Sequence, residues 1–269
     1  MASDAALKAV ISDVDGTLLD TADLIRRGIF EVTRSYLQEF GLSEANLPDY
    51  AAFAAHVDTA VGKNARDTVE QAVRLVYHDR PETVAAIDFD ALYGRLNGVQ
   101  DGLLERYLRP YPGLEKALLE VGKRGLALAF FTGGTAYHVV RNFGLALPDL
   151  EVKDLYLNPD MEDAAKLALL MQRMVERYGL ARMVAVTADD GLPSKPDPAG
   201  VAEACKRLGV EPAETLMLGD LAADLLAAQS GGVPRRVGVT HGFDDAVALR
   251  AAGATAVIDG LGELPGLLV

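Results

Sequence analysis

The chain has 269 residues and a formal net charge of −13; 50% of its residues are hydrophobic and 24% are charged. That length buries a substantial core in one large or two smaller domains, and the acidity excludes a binder of nucleic-acid backbone, which needs clustered cations to release counterions. No apolar run approaches the roughly 20 residues of a membrane span, "MASDAALKAV" lacks the basic and apolar regions of a secretion signal, and the single cysteine, Cys205, permits no intrachain disulfide, so a cytoplasmic protein is expected.

The first element is an apolar strand from about Leu7 to Asp13. It runs straight into "DVDGTLLDT", which places Asp13, Asp15 and Asp20 close together. Gly16 allows a sharp turn after the pair. Residues 22–108 hold no convincing strand. "LIRRGIFEVTRSYLQEFG", "DYAAFAAHVDTAVG", "ARDTVEQAVRLVYHD" and "FDALYGRLNGVQDGLLERYL" all have helical spacing. "RPYPG" then ends the helical block, since two prolines near a glycine stop a helix.

From about residue 112 the pattern changes. The apolar runs "LALAFFT" (126–132), "MVAVTA" (183–188), "TLMLGD" (215–220), "RVGVTH" (236–241) and "TAVID" (255–259) alternate with amphipathic stretches such as "PGLEKALLEVGKRG" and "DPAGVAEACKRLG". Such alternation predicts an α/β fold, a doubly wound parallel sheet of the Rossmann type with an all-helical insertion. The expected division is a core of residues 1–20 and 110–269 and a helical cap of residues 21–109, joined by two short connections that can hinge. Residues 145–162, with two prolines, are expected to be a surface elaboration ahead of the helix "DAAKLALLMQRMVERYG".

In parallel sheets ligands bind beyond the carboxyl ends of the strands, and this sequence puts its unusual polar residues there. Asp13 and Asp15 follow the first strand, and Thr132, Gly133 and Gly134 the second. Lys195 lies in "SKPDP" after the third. Asp220 follows the fourth, with Asp224 one turn into the next helix. Carboxylates gathered in one pocket repel each other unless a cation joins them. A carboxylate attacking a phosphate dianion meets repulsion of about 10 kcal/mol at contact in an effective dielectric of about 20. A divalent cation and Lys195 would cancel much of it, and oxygen-only ligands suit Mg²⁺ better than zinc.

"DVDGTLLDT", "FFTGG", "KPDP" and "GDLAAD" occur in the order and spacing of the four motifs of the haloacid dehalogenase superfamily. The chain resembles its phosphoglycolate-phosphatase-like branch, which has a helical cap between the first and second motifs. The resemblance implies a phosphoric monoester hydrolase acting on a small phosphorylated metabolite. Asp13 would be the nucleophile that becomes an aspartyl phosphate, and Asp15 the general acid and base. Thr132 and Lys195 would hold the transferring phosphate, with Gly133 offering a backbone N–H. Asp13, the main-chain carbonyl of Asp15 and Asp220 would bind Mg²⁺, and Asp224 would orient that metal site. The chain departs from the family pattern at Leu221, where a serine is common, and at Gly133, where an asparagine is common. Asp15 fits phosphoryl transfer better than dehalogenation, because halide leaves without a proton.

In the helical block, "DTAVGKNARDTVE" (58–70) falls where that branch reaches over its active site, so Gly62, Lys63, Asn64 and Arg66 are candidate substrate contacts. Three rival readings differ in one feature each. A phosphonoacetaldehyde hydrolase-like enzyme would use Lys63 as a Schiff base. A sugar-phosphate mutase would use Arg66 to hold a second phosphate. A regulatory protein that kept only the fold would not need the complete acidic set. His56, His78, His138 and His241 lack zinc-binding spacing and read as structural or surface residues; Cys205 reads as a packed thiol. The oligomeric state stays open.

Overall fold

A computed structural model describes residues 5–41 and 49–268. The reading of the first ten residues as free of a leader lies in part outside them. The chain divides into two compact units, Met1–Asp20 with Arg109–Val269, and Thr21–Leu108.

The first unit is built on a parallel sheet. In chain order it contains β1 (Ala9–Ser12), β2 (Leu19–Asp20), β3 (Arg109–Pro110), α8 (Leu114–Lys123), β4 (Ala127–Phe131), α9 (Ala136–Ala146), α10 (Lys153–Tyr156) and α11 (Asp163–Tyr178). There follow β5 (Met183–Val186), α12 (Ala199–Leu208), β6 (Thr215–Gly219), α13 (Ala222–Ser230), β7 (Arg235–Val239), α14 (Ala246–Ala251) and β8 (Ala256–Ile258). Helices α1 to α7 belong to the second unit.

Six strands form the main sheet in the order β5-β4-β1-β6-β7-β8, and every neighbouring pair is parallel. Strands covered on both faces read as continuous apolar runs rather than alternating ones, which is why β1 and β4 to β6 are buried along their whole length. On one face Ile11, Ala129, Val186 and Met217 pack with Val201, Cys205 and Ala228 of α12 and α13. On the other, Phe130 stacks on Phe143 of α9, with ring centroids 4.8 Å apart. The sheet is therefore doubly wound.

A second, two-stranded sheet pairs β2 with β3 antiparallel, Leu19 opposite Pro110 and Asp20 opposite Arg109. The expected linker "RPYPG" is thus partly strand. Residues 145–162 comprise a 3₁₀ turn, Pro148–Leu150, and the short α10, anchored by buried Leu150 and Val152.

The second unit comprises α1 (Ala22–Glu39), α2 (Tyr50–Ala60), α3 (Ala65–Val76), α4 (Pro81–Ala85), α5 (Phe89–Gly94), α6 (Leu96–Asp101) and α7 (Leu104–Tyr107). Its described residues contain no strand. Ile29, Val32, Tyr36 and Leu37 repeat at helical spacing on α1 and form its core with Phe53, Val57, Val69 and Val73. Asp49, Asn64 and Asp88 cap α2, α3 and α5 by accepting main-chain N–H bonds. The run "FDALYGRLNGVQDGLLERYL" breaks into α5, α6 and α7, with breaks at Arg95 and at Gly102–Leu103. Three glycines in that run each cost helix stability of about 1 kcal/mol relative to alanine.

Candidate active site

All six strands of the main sheet point the same way, so their carboxyl ends share one edge. With β4 and β6 flanking β1, the residues after these strands meet there. This is the point where strand order reverses, the usual ligand site of such sheets.

Asp13 is buried, and its Oδ1 lies 2.6 Å from the Lys195 ammonium. The same ammonium lies 2.7 Å from Asp224 Oδ1. Asp224 is fully buried, and its Oδ2 accepts the Leu221 N–H at 3.0 Å. Oxygens of Asp13, Asp220 and Asp224 all lie within 4.8 Å of one another. If ionised, these carboxylates exceed the single lysine by two negative charges. Burial pushes the Asp13 carboxyl up to about 7, helped by Asp224 and Asp15, even though Lys195 pulls it down. Burial, with Asp13 and Asp224 nearby, pushes Asp220 well above the usual carboxylate range. Burial penalises the Lys195 charge, but Asp13 and Asp224 more than offset it and raise its pKa. The cluster is short of positive charge, and its donor set of buried carboxylate oxygens fits a hard divalent cation.

Thr17 joins the two sides of the cluster. Its hydroxyl lies 2.6 Å from Asp220 Oδ1 and 3.1 Å from Asp13 Oδ2. Gly16 has a left-handed φ of 84°, and a Cβ there would overlap the Asp220 carboxylate. Asp220 is also held from the segment after β7. Phe243 N–H donates to its Oδ2 at 2.9 Å, and Asp244 N–H to its carbonyl at 3.2 Å.

Asp15 points elsewhere. Its Oδ2 lies 3.5 Å from Thr132 Oγ1 and is not one of the clustered oxygens. Thr132 Oγ1 accepts the Gly134 N–H at 3.0 Å. The loop after β4 is held from the loop after β5: Ala188 N–H donates to the Gly134 carbonyl at 2.9 Å, and Asp189 Oδ2 accepts the Ala136 N–H at 2.7 Å. Thr132, Gly134, Thr135 and Ala136 thus have their N–H groups engaged. Among the described residues the N–H groups of Gly133 and Val14 have no hydrogen-bond acceptor.

The structure brings Asp13, Lys195, Asp220 and Asp224 into one cluster, and Thr132 beside Asp15. Gly62, Lys63, Asn64 and Arg66 lie in the helical unit. Asn64 caps α3, its Oδ1 accepting the Asp67 N–H at 2.9 Å. Arg66 donates to Asp90 Oδ1 at 2.7 Å and to Glu70 Oε2 at 3.2 Å. Lys63 is exposed, and Gly62 has a left-handed φ of 98°. His138 is buried with Nδ1 against the Thr135 N–H, and burial takes its pKa down to about 3. Sequence reasoning assigned no role to Thr17, Val14, Asp189 or residues 242–244. "DGT" carried a signal for Thr17; the others depend on which strands are neighbours.

The family model for haloacid dehalogenase-like hydrolases matches residues 7–232. The chain belongs to that family. The hydrolase is 28% identical over 260 residues to the plasmid-borne phosphoglycolate phosphatase of Cupriavidus necator, covering 97% of this chain and 92% of the relative. It is 27% identical over 246 residues to an N-acetylmuramic acid 6-phosphate phosphatase of Pseudomonas aeruginosa, covering 88% and 83%. In fold the hydrolase resembles the crystal structure of a predicted phosphoglycolate phosphatase from Haemophilus somnus, with a TM-score of 0.67, 20% identity and 98% of each chain covered. The hydrolase therefore sits with the phosphoglycolate-phosphatase-like branch, and no helix among its described residues is long and apolar enough to cross a membrane.

Proposed function

We propose that this hydrolase is a Mg²⁺-dependent phosphatase that cleaves a small phosphorylated metabolite through an aspartyl phosphate on Asp13. One observation carries the reading: Lys195 touches Asp13 and Asp224 inside a buried cluster whose three carboxylates, when ionised, exceed it by two charges. Asp13, Asp220 and the main-chain carbonyl of Asp15 would hold the ion, with Asp224 setting Lys195 and the end of the site. When bound, Mg²⁺ supplies the positive charge that lets an anionic nucleophile approach an anionic phosphate.

The remaining chemistry belongs to the chain. An Asp13 oxygen attacks phosphorus, forming the acyl phosphate as the ester P–O bond breaks. Asp15 delivers a proton to the departing oxygen. It then takes a proton from the water that attacks the acyl phosphate, which restores Asp13 and releases phosphate. The N–H groups of Val14 and Gly133 and the Thr132 hydroxyl are available to the phosphoryl oxygens, and Lys195 balances their charge. The two relatives named as phosphatases of a glycolate ester and of a sugar phosphate support a small substrate. The ion pairs of Arg66 with Asp90 and Glu70 weigh against a mutase that needs Arg66 for a second phosphate. A buried, lone Cys205, whose thiol burial raises to about 11, suits a reducing cytoplasm.

A phosphate-release screen with phosphoglycolate, sugar phosphates and nucleotides is expected to find release from a small ester that stops on chelation of Mg²⁺. Release from none of them would overturn the phosphatase reading, and phosphoryl exchange in excess of release would point to a mutase.

The cluster also predicts a pH and metal dependence of stability. Asp13 and Asp220 have folded-state pKa values above their unfolded ones, so in metal-free protein the folded state holds more protons. Stability then falls as pH rises through about 7. A Mg²⁺ ion bound only to the folded state offsets this loss. The melting temperature of chelator-treated protein is expected to drop between about pH 5 and 7.5, and 5 mM Mg²⁺ to raise it most at the alkaline end. An equal Mg²⁺ effect at both ends would contradict this.

A further inference from the structure

The segment His241–Asp244 follows β7, outside every motif that marked the sequence, yet it wraps Asp220. Phe243 and Asp244 donate their N–H groups to it, and the Asp244 carboxylate accepts the Ala222 N–H at 2.6 Å, closing the start of α13. A Cβ at Gly242 would overlap the Asp220 side chain, so the main chain lies directly against the carboxylate.

His241 ties this segment to the opposite side of the cluster. Its Nε2 lies 2.9 Å from the carbonyl of Thr17, the residue whose hydroxyl reaches both Asp13 and Asp220. The ring also meets the main chain of Asp259, just past β8. Tyr111 fixes the histidine from a third direction. Its ring stacks on His241 with centroids 3.7 Å apart, its hydroxyl donates to the His241 carbonyl at 2.9 Å, and its N–H donates to the Leu18 carbonyl at 3.1 Å. The turn after β1 and the segment after β7 are joined by a hydrogen-bonded imidazole, where a one-residue shift of either would separate Asp13 from Asp220.

We propose that His241, braced by Tyr111, is a positioning residue that sets the separation of Asp13 and Asp220 and thereby the affinity of the site for a divalent cation. The inference rests on the metal reading given above. Groups that orient the ligands of a metal typically change its affinity 10- to 100-fold when removed.

The test is calorimetric titration of the full chain with Mg²⁺ alone, beside melting curves of the same samples in chelator. His241→Ala is expected to stay folded and to bind Mg²⁺ about 10-fold or more weakly. His241→Gln, which keeps an amide donor near the Thr17 carbonyl, should recover most of that loss. At saturating Mg²⁺ the KM of His241→Ala for a phosphate ester should stay within about twofold of the parent, since the residue acts on the metal site. A folded His241→Ala that binds Mg²⁺ within twofold of the parent would overturn the proposal. If His241→Ala does not fold, the decision passes to Tyr111→Phe, which keeps the stack and removes the bond to the His241 carbonyl. Weaker Mg²⁺ binding by that variant supports the brace, and unchanged binding overturns it. A parent chain that binds no Mg²⁺ would overturn the metal reading and this proposal together, whereas a binding parent with an equally tight His241→Ala would overturn only the positioning role.

Discussion

Asp13→Asn is expected to lower phosphate release by about 10⁴-fold or more without destabilising the metal-free protein. The activity loss follows from chemistry. A neutral amide cannot form the acyl phosphate, and removal of a covalent nucleophile typically costs several orders of magnitude. The stability expectation follows from charge. Asp13 is one of three crowded carboxylates, and its loss relieves repulsion. Lys195 keeps a partner after the change, because Asp224 remains 2.7 Å away. The chelator-treated variant should therefore melt no lower than the parent at pH 8. Its bound-Mg²⁺ state should gain less, since one ligand is gone. Near-parental phosphate release from the purified variant would remove Asp13 from the mechanism; a large fall in melting temperature would show that the carboxylate is a structural partner of Lys195 instead.

Lys195→Met is expected to be the most damaging single change to stability in the site. Lys195 is 8% exposed and lies between Asp13 and Asp224. Its ammonium also sits 4.6 Å from the centroid of the Phe131 ring. Removing one partner of a buried ion pair typically costs about 3–5 kcal/mol, because the other charge is left without compensation. Methionine fills similar volume, so the loss reports charge rather than a cavity. The pH dependence separates the two causes. Without the ammonium, which now pulls it down, the folded-state pKa of Asp13 rises further. Stability is then retained at low pH, where the carboxylates are protonated, and lost as pH rises. Denaturant unfolding should show a penalty near the upper end of that range at pH 8 and a much smaller one at pH 5.5. A pH-independent penalty would mean that packing, not charge, makes Lys195 matter. Phosphate release should fall by about 10²-fold or more even with excess Mg²⁺, since a fixed cation at a developing phosphoryl charge is removed.

Much of this was legible before any coordinates. The central strands of the sheet are continuous apolar runs because both faces are covered, so β1 and β4 to β6 stood out from the amphipathic helices between them. Asp13, Thr132 and Asp220 stood out because polar groups directly after such runs lie on the ligand edge of a parallel sheet, and Lys195 because it lies in the loop beyond β5. The two-residue strands β2 and β3 were not legible, since pairing so short leaves no periodic pattern. The break of residues 89–107 into three short helices was hidden for a related reason: apolar spacing carried through glycines that interrupt the backbone.

The sequence by itself determined the chemistry on offer: which residues carry carboxylates, which lysine is near a strand end, and where turns need glycine. Only the tertiary structure decided which of these groups meet. Lys195 and Asp13 are 182 positions apart, and Thr17 and Asp220 are 203 apart. Those contacts exist because β6 and β4 lie on either side of β1, an order set by how helices cover the sheet rather than by any local pattern. The same order brings the unremarkable stretch after β7 against Asp220, while the charges of Arg66 are taken up by Asp90 and Glu70 within its own helical unit. Propensity and periodicity act over a few residues; proximity across a parallel sheet is decided by burial, and burial is a property of the whole chain.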